Sequence, residues 1–189
     1  MEKYNLITKA LLKQVADGDH AAFRSFYDTV YPAAYQFVRC FVTDSEDCKE
    51  VVSDVFYAIW KHKNTLAEVE NLKSWLFIVC RNEAYHFLKQ KERYGFVSID
   101  DMPVELQIDT ADAEFMDEEM LEIYRNAVKM LPERCKLIFL MAKEEQLKYR
   151  EIAEILSITE GTVAQQMNIA IRKITNTVRQ QYAESRYKT

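Results

Sequence analysis

Side chains able to read DNA bases cluster in one short segment of the C-terminal third of the sequence. Gln and Asn amides can bond to two atoms at the edge of one adenine, whereas an Arg guanidinium pairs best with guanine. The segment begins at Thr159, and its polar and small residues recur over about three helical turns: Gly161, Thr162, Gln165, Gln166, Asn168 and Arg172. These residue types predict contacts in the major groove of duplex DNA, with adenine favoured over guanine.

Two short helices joined by a tight turn would position these side chains. Four apolar residues recur at i, i+3, i+4 and i+7, which predicts one buried helix face: Tyr149, Ile152, Ala153 and Leu156. Ser157 and Ile158 then interrupt the pattern, and Thr159 is a suitable N-cap for a second helix. The second stripe consists of Val163, Met167, Ala170, Ile171 and Ile174. With Ile158 buried in the turn, this pattern is typical of a helix-turn-helix, whose second helix enters the major groove; the alternative is two packed helices without a DNA role.

The net charge of −5 conceals an uneven distribution of charged residues along the chain. Residues 98–122 contain ten Asp or Glu and no Lys or Arg, so the rest of the chain carries 25 basic and 20 acidic residues. Residues 96–113 include Pro103 and show no sustained period, which predicts a linker. The sequence therefore predicts an acidic linker between two mildly basic parts, and only those parts are candidates for binding nucleic acid.

The composition favours a helical protein and argues against several other classes. Among 189 residues only three are Gly and three are Pro, while 49% are hydrophobic. No apolar stretch is long enough to span a membrane, and the N-terminus lacks signal-peptide features, so a cytoplasmic protein is expected. The four cysteines form no C-x-x-C pair and the three histidines are scattered, which predicts reduced cysteines and no metal site.

The N-terminal half predicts a bundle of amphipathic helices rich in aromatic residues. One helix is expected to end near Gly18, the next to end at Pro32, and a further helix to begin at that proline. Thr43 and Glu46 have the spacing of a capping box. The helix that follows is predicted to bury Cys48, Val51, Val52, Val55, Phe56, Ile59 and Trp60, and to expose Glu50, Ser53, Asp54, Tyr57 and Lys61.

A long helix is predicted from Leu72 to about Glu92, after a loop at 64–70 and with Asn71 as its N-cap. Its predicted buried side is Leu72, Trp75, Leu76, Val79 and Phe87. Cations are interleaved with aromatic rings along it: Lys73, Arg81, Lys89, Lys91 and Arg93 with Phe77, Tyr85 and His86. Cations for phosphates and rings for unstacked bases suit a single-stranded nucleic-acid surface; the alternative is a solvated helix whose aromatic residues belong to the core.

Three separated segments resemble one protein family. Residues 44–63 (DSEDCKEVVSDVFYAIWKHK) and 71–89 (NLKSWLFIVCRNEAYHFLK) resemble the second conserved domain of extracytoplasmic-function sigma factors, the smallest sigma subunits of bacterial RNA polymerase. Residues 127–163 (AVKMLPERCKLIFLMAKEEQLKYREIAEILSITEGTV) resemble the fourth conserved domain of the same family. The order and the acidic linker also fit, and the resemblance covers roughly residues 21–174.

The resemblance implies an all-α protein with two helical domains, at 1–95 and 114–189, joined by an acidic linker at 96–113. The first would bind the clamp helices of core RNA polymerase through Glu50, Ser53 and Asp54. It would also open the minus-ten promoter element through a second set of residues: Asn64, Asn71, Lys73, Arg81 and Tyr85. The second would bind the minus-thirty-five element through the helix-turn-helix, and the linker would enter the polymerase channels that otherwise hold nucleic acid.

The same resemblance implies promoter DNA and core polymerase as partners, with an anti-sigma factor as inhibitor. Neither a cofactor nor a small-molecule substrate is expected, and the protein would not itself be an enzyme. Two departures from the family pattern concern the second domain: the DNA-facing side has no cation before Arg172, and Ser157 replaces the usual turn glycine. His86 stands where the family commonly has Asp.

Two other functions compete with this interpretation. A stand-alone helix-turn-helix regulator with an N-terminal dimerisation or sensing domain would bind duplex palindromes without polymerase. A helical enzyme is disfavoured because the chain has no pair of Glu-x-x-His motifs, as a metal-binding helical bundle would need, and no Gly-rich phosphate loop.

Overall fold

The structure, a computed structural model, describes residues 7–91 and 118–186, with side chains as far as Tyr182. The chain divides into two compact units, Met1–Phe96 and Val97–Thr189. Helices are the only regular elements in the described ranges, so the predicted all-α class is confirmed. No helix within those ranges is both long and apolar enough to cross a bilayer. The predicted acidic linker at 96–113 lies outside the described residues.

The first unit is here called the front unit, and its described residues, 7–91, form four α-helices and one 3₁₀ helix. Its α-helices are α1 (Lys9–Ala16), α2 (His20–Val38), α3 (Ser45–Lys61) and α4 (Leu72–Lys91), and the 3₁₀ helix is Lys63–Glu68. α1 packs on α2 and on the 3₁₀ helix, while α2, α3 and α4 pack against one another in pairs. The 3₁₀ helix replaces most of the loop predicted at 64–70, because Leu66 is fully buried and anchors the segment.

α2 runs through Pro32, so the prediction of a new helix at that proline is wrong. A proline inside a helix removes one hydrogen bond and costs about 3 kcal/mol. The residues on either side of it bury large apolar groups, among them Phe26, Val30, Phe37 and Val38. Each such side chain stabilises the fold by roughly 1.5–3 kcal/mol, and together they outweigh the local penalty. The ring itself is exposed, where it obstructs no packing.

α3 begins one residue later than the predicted capping box implies. Its N-cap is Asp44, whose carboxylate accepts from the backbone N–H groups of Glu46 and Asp47 at 2.9 and 3.0 Å. Thr43 lies outside the helix and does not cap it. The predicted faces of α3 are otherwise confirmed, since only Trp60 of the inward set is half-buried rather than buried.

α4 turns a different face to the core from the predicted one. Its buried residues are Ser74, Leu76, Phe77, Cys80 and Ala84, so only Leu76 of the predicted set is fully buried. The ring of Phe77 stacks on Phe37 with centroids 4.4 Å apart and has no exposed surface. Phe77 is therefore a core residue and is not available to stack on a base.

The second unit, here called the rear unit, is built around one long helix. Its elements are α5 (Glu118–Lys129), α6 (Glu133–Lys143), α7 (Tyr149–Leu156) and α8 (Glu160–Arg186). α5, α6 and α7 all pack against α8. Pro132 immediately precedes α6, and α6 buries Leu137, Ile138, Leu140 and Met141.

Candidate nucleic-acid interface

The turn between α7 and α8 is closed by two backbone hydrogen bonds. Ser157 adopts the left-handed conformation, with φ +55°. The N–H of Ile158 donates to the carbonyl of Ala153 at 2.9 Å, and that of Ser157 donates to Glu154 at 3.2 Å. This pair of bonds is a Schellman motif, in which a small C3 residue faces the residue after the left-handed one. Ile158 is half-buried there, less than predicted.

Thr159 caps α8, as the sequence predicts. Its Oγ1 accepts from the backbone N–H of Thr162 at 3.1 Å and lies 2.9 Å from the hydroxyl of that residue. At the start of α7, the Glu151 carboxylate accepts from the backbone N–H of Lys148 at 2.7 Å. Both helices thus begin at defined residues and are joined by a closed turn, and this geometry fixes the direction of α8.

One face of the first three turns of α8 forms an open groove, here called the reading groove. It is lined by Gly161, Ala164, Gln165, Asn168, Ile169 and Arg172. Gly161, Gln165, Asn168 and Arg172 are exposed, while Ala164 and Ile169 are half-buried. The opposite face holds Val163, Met167, Ala170 and Ile174 in the core, as predicted. The structure therefore brings together most of the predicted base-reading residues on one accessible surface.

Some predicted positions around α8 differ from the expectation. Gln166 is half-buried and lies outside the reading groove; its backbone carbonyl accepts from the thiol of Cys135 at 3.2 Å. Ile171 was predicted to be buried but is 48% exposed, and Tyr149 is 39% exposed. Ile155 is fully buried instead. Ile152, Ala153 and Leu156 of the predicted α7 stripe are therefore confirmed as buried, and Ile155 is buried where Tyr149 was expected.

The candidate residues of the front unit lie along α4 and just before it. Asn64 is exposed within the 3₁₀ helix, and Asn71 caps α4 by accepting from the N–H of Ser74 at 3.1 Å. Lys73, Arg81 and Tyr85 are half-buried and share one face of α4 with the buried Phe77. That face is the rim of the core, so these three side chains expose only part of their surface.

Each cation on this rim lies over an aromatic ring. The Lys73 ammonium is 5.9 Å from the centroid of Phe77, and the Arg81 guanidinium is 6.0 Å from that of Tyr85. Arg81 also donates twice to Oδ1 of Asn82, at 2.7 and 3.2 Å. These contacts restrict both side chains and leave their charges at the edge of the unit.

The most exposed side chains of α4 form a different stripe, which the sequence reasoning did not include among the site residues. This stripe consists of Asn82, His86, Lys89 and Gln90, at i, i+4, i+7 and i+8. The amide nitrogen of Gln90 is 3.1 Å from Nε2 of His86. Had the buried face been assigned to Leu76, Cys80 and Ala84, helical periodicity would have identified this stripe as the solvent-facing side.

The outer face of α3 carries the other candidate set. Glu50, Ser53 and Asp54 are all exposed, and the Ser53 hydroxyl donates to the carbonyl of Lys49 at 2.9 Å. Tyr57, one turn further on, is 67% exposed. The sequence predicted Tyr57 to face outward but did not include it in the site. The surface therefore combines two carboxylates with one large exposed aromatic ring.

An ion pair joins the end of α4 to the first turn of α3. Lys91, the last residue of α4, donates to the carboxylate of Asp47 in the first turn of α3. The hydrogen bond to Asp47 raises the pKa of Lys91. The pKa of Asp44 is lowered because its carboxylate accepts hydrogen bonds from two backbone N–H groups. Because the surface is exposed, the pair orients α4 on α3 more than it stabilises the unit.

No group of three or more His, Cys, Asp or Glu side chains that could hold a metal ion occurs within 7–91 and 118–186. The four cysteines are buried and free. Burial raises the pKa of the Cys48 thiol to about 11, and the thiol donates to the carbonyl of Val42 at 2.8 Å. The cysteines therefore act as small apolar core residues.

Comparison with known families agrees with the two-unit division. Residues 26–94 match the family described as Sigma-70 region 2, and residues 121–174 match Sigma-70 region 4. The first match covers α3, α4 and most of α2; the second covers most of α5, all of α6 and α7, and the first half of α8.

Similar proteins have a comparable length. The chain is 25% identical to the ECF RNA polymerase sigma factor SigK of Mycolicibacterium vanbaalenii over 173 residues, which are 87% of this chain and 86% of that protein. It is 24% identical to SigK of Mycobacterium tuberculosis strain H37Ra over 88% of this chain and 91% of that one.

Solved structures share the fold. CnrH, solved in complex with the cytosolic domain of CnrY, matches with a TM-score of 0.55 at 20% identity, over 89% of this chain and 94% of that one. RpoE of Bartonella quintana, solved with the anti-sigma factor NepR, matches with a TM-score of 0.57 at 20% identity, over 83% and 96% of the two chains.

Proposed function

The chain belongs to the extracytoplasmic-function sigma factors, and we propose a residue-level division of its work between the two units. As a sigma factor it directs core RNA polymerase to specific promoters for the initiation of transcription. In this proposal the front unit binds the polymerase and holds the opened minus-ten element. The rear unit binds the minus-thirty-five element as a duplex.

The observation that carries the rear-unit assignment is the reading groove. A capped helix with a closed turn before it presents Gln165 and Asn168 on an exposed face. In a helix-turn-helix this face enters the major groove, where amides bond bidentately to adenine. Thr159, Thr162 and Gln166 lie beside the groove and serve as phosphate or positioning contacts. We therefore propose an upstream element rich in adenine.

The front unit has two roles in the proposal. Glu50, Ser53 and Asp54 present carboxylates and a hydroxyl to basic residues on the polymerase clamp, since charge-assisted hydrogen bonds favour such a pairing. Asn64, Asn71, Lys73, Arg81 and Tyr85 contact the opened non-template strand. The half-buried position of the last three suits contact with the sugar-phosphate backbone at the rim of the unit.

The remaining partners follow from family membership. The acidic linker at 96–113 threads the polymerase channels, with carboxylates in place of phosphates. An anti-sigma factor binds the free protein, as the anti-sigma factor NepR binds the sigma factor RpoE of Bartonella quintana. Sigma factors do no chemistry themselves, so this chain binds no substrate, and it acts in the cytoplasm, where core polymerase transcribes.

The test is transcription by core RNA polymerase mixed with the purified protein on a library of promoters with randomised upstream elements. Transcripts from a defined start site, enriched for adenine upstream, are expected. A strict requirement for guanines in the upstream element would contradict the assignment of Gln165 and Asn168. Binding to duplex palindromes without polymerase, with no transcripts, would instead favour a stand-alone regulator.

The polymerase surface is tested separately by charge reversal. Asp54→Lys should weaken binding to core polymerase by at least tenfold, because it places a cation opposite basic residues. Asp17→Lys is the matched control, since Asp17 is also exposed and its change alters the net charge equally, but it lies in the α1–α2 turn. Equal effects of the two changes would contradict the assignment of the α3 surface.

A further inference from the structure

The reading groove places an amide side chain next to an apolar one in each of two turns. Gln165 follows Ala164, and Ile169 follows Asn168, so each of two successive turns of α8 presents one amide beside one apolar side chain. Ala164 and Ile169 are half-buried, which leaves part of each apolar surface facing the groove. A groove that contacted only phosphates and adenine edges would have no use for these apolar groups.

We infer that Ala164 and Ile169 are specificity-determining residues that contact the C5-methyl groups of thymines in the upstream element. This inference rests on the proposed function and extends it. It assigns the adenines to the two amides and the thymines to the two apolar side chains. The rear unit would then read A·T base pairs on both strands.

The chemistry of the major groove supports this pairing. Every A·T pair presents the N7 and N6 of adenine together with the methyl group of thymine, and a G·C pair presents no methyl. An amide beside an apolar group can therefore contact both bases of one pair, or the bases of adjacent pairs. The two turns of α8 that carry such a pair are separated by about 5.4 Å along the helix axis, which is between one and two base-pair steps of about 3.4 Å.

The two apolar side chains are also already ordered. Alanine has no side-chain rotamers to lose, and isoleucine in a helix is held in one strongly preferred χ1 rotamer. Contact with a methyl group therefore costs little conformational entropy at either residue. Because the methyl is buried against apolar atoms, its removal should weaken binding about fourfold per contact.

The test compares thymine with deoxyuridine, which lacks only the C5-methyl group. Holoenzyme assembled from core polymerase and the full chain is bound to a promoter obtained from the library, with thymines of the upstream element replaced by deoxyuridine on one or both strands. We expect about fourfold weaker binding for each contacted thymine. The same number of replacements in the spacer between the two promoter elements should leave binding unchanged.

Protein variants connect the effect to the two residues. Ile169→Ala and Ala164→Gly should each bring the ratio of thymine to deoxyuridine affinity towards one, at different positions. Ile171→Ala is the matched control, because Ile171 is 48% exposed on the same helix but does not line the reading groove. Since each ratio compares two DNAs with one protein preparation, a change in the fraction of folded protein cancels.

The outcomes separate this inference from the proposed function. If unmodified promoters give specific transcripts but deoxyuridine binds as well as thymine, the inference is wrong and the function stands. An upstream element without A·T pairs, or a ratio unchanged in both groove variants, also overturns the inference. Absence of specific transcripts from any unmodified promoter would count against the proposed function itself.

Discussion

Replacing Ser157 by glycine should stabilise the rear unit, because this residue holds a left-handed conformation that glycine adopts without strain. Ser157 has φ +55° and ψ +45° at the end of α7, where its N–H helps to close the turn into α8. For a residue with a Cβ, this conformation costs about 1–2 kcal/mol of conformational strain. The proper reference is Ser157→Ala, which removes the hydroxyl but keeps the Cβ.

The expected gain is smaller than the strain because glycine also gains freedom in the unfolded chain. That freedom costs roughly 0.5–1 kcal/mol on folding. Ser157→Gly should therefore be more stable than Ser157→Ala by about 0.5–1 kcal/mol. For a unit of this size each kcal/mol changes the midpoint of thermal unfolding by about 4–8 °C, which gives an increase of about 2–8 °C.

Two optical signals separate the units in one sample of the full chain. Both tryptophans, Trp60 and Trp75, lie in the front unit, so their fluorescence reports unfolding of that unit alone. Circular dichroism at helical wavelengths reports both units. The glycine variant should raise the dichroism transition of the rear unit and leave the fluorescence transition in place.

Two results would refute this reasoning. A midpoint for Ser157→Gly equal to or below that of Ser157→Ala would show that the strain at this residue does not exceed the entropic cost of glycine. A parallel increase in the fluorescence transition would show that the two units do not unfold independently.

Three other changes test the core and caps of the fold. Asp44→Ala should destabilise the front unit, measured by tryptophan fluorescence, whereas Asp44→Asn should retain the cap. Because folding lowers the pKa of Asp44, its ionised carboxylate adds to the free energy of unfolding above its unfolded pKa, and this stabilisation is lost as the pH falls through the folded pKa. The Asn variant should lack this acid-dependent loss of stability. Phe77→Ala should lower the free energy of unfolding of the front unit by about 3–5 kcal/mol, because the ring is fully buried. A variant that stays fully stable but loses DNA binding would contradict the core position of Phe77. All four cysteines should react with a thiol reagent at pH 8 only after unfolding, because all four are buried. Burial also raises the pKa of the Cys48, Cys80 and Cys135 thiols, that of Cys48 to about 11. Fast labelling of the native protein would contradict this packing.

Helical periodicity was sufficient where a helix buries one stripe. α3 and α8 each carry one apolar stripe, and their core and exposed residues follow the predicted 3.6-residue repeat almost throughout. The caps at Thr159 and Asn71 were also predictable, because each is a short polar residue immediately before an apolar repeat.

Periodicity could not assign the buried face of α4, for a physical reason. Apolar residues are nearly continuous from Leu72 to Cys80, so several stripes of α4 fit the helical pattern equally well. The face that α4 buries includes three small residues, Ser74, Cys80 and Ala84, which allow neighbouring helices to approach closely. Sequence reasoning favours large apolar residues such as Trp75 and Phe87, and these lie half-exposed at the edge.

The composition of the reading groove has a consequence for how the two units cooperate. Arg172 is the one cation among the six residues that line it. Non-specific affinity for DNA comes mainly from cations that displace counterions from phosphates, so a groove of amides and apolar groups supplies selectivity with little affinity. Such a unit can occupy its site only at a high local concentration, and a tether to a polymerase already bound nearby provides that. The promoter preference of the rear unit should therefore be expressed in the holoenzyme and nearly absent from the free protein, because the residues that select the bases are not those that hold the DNA.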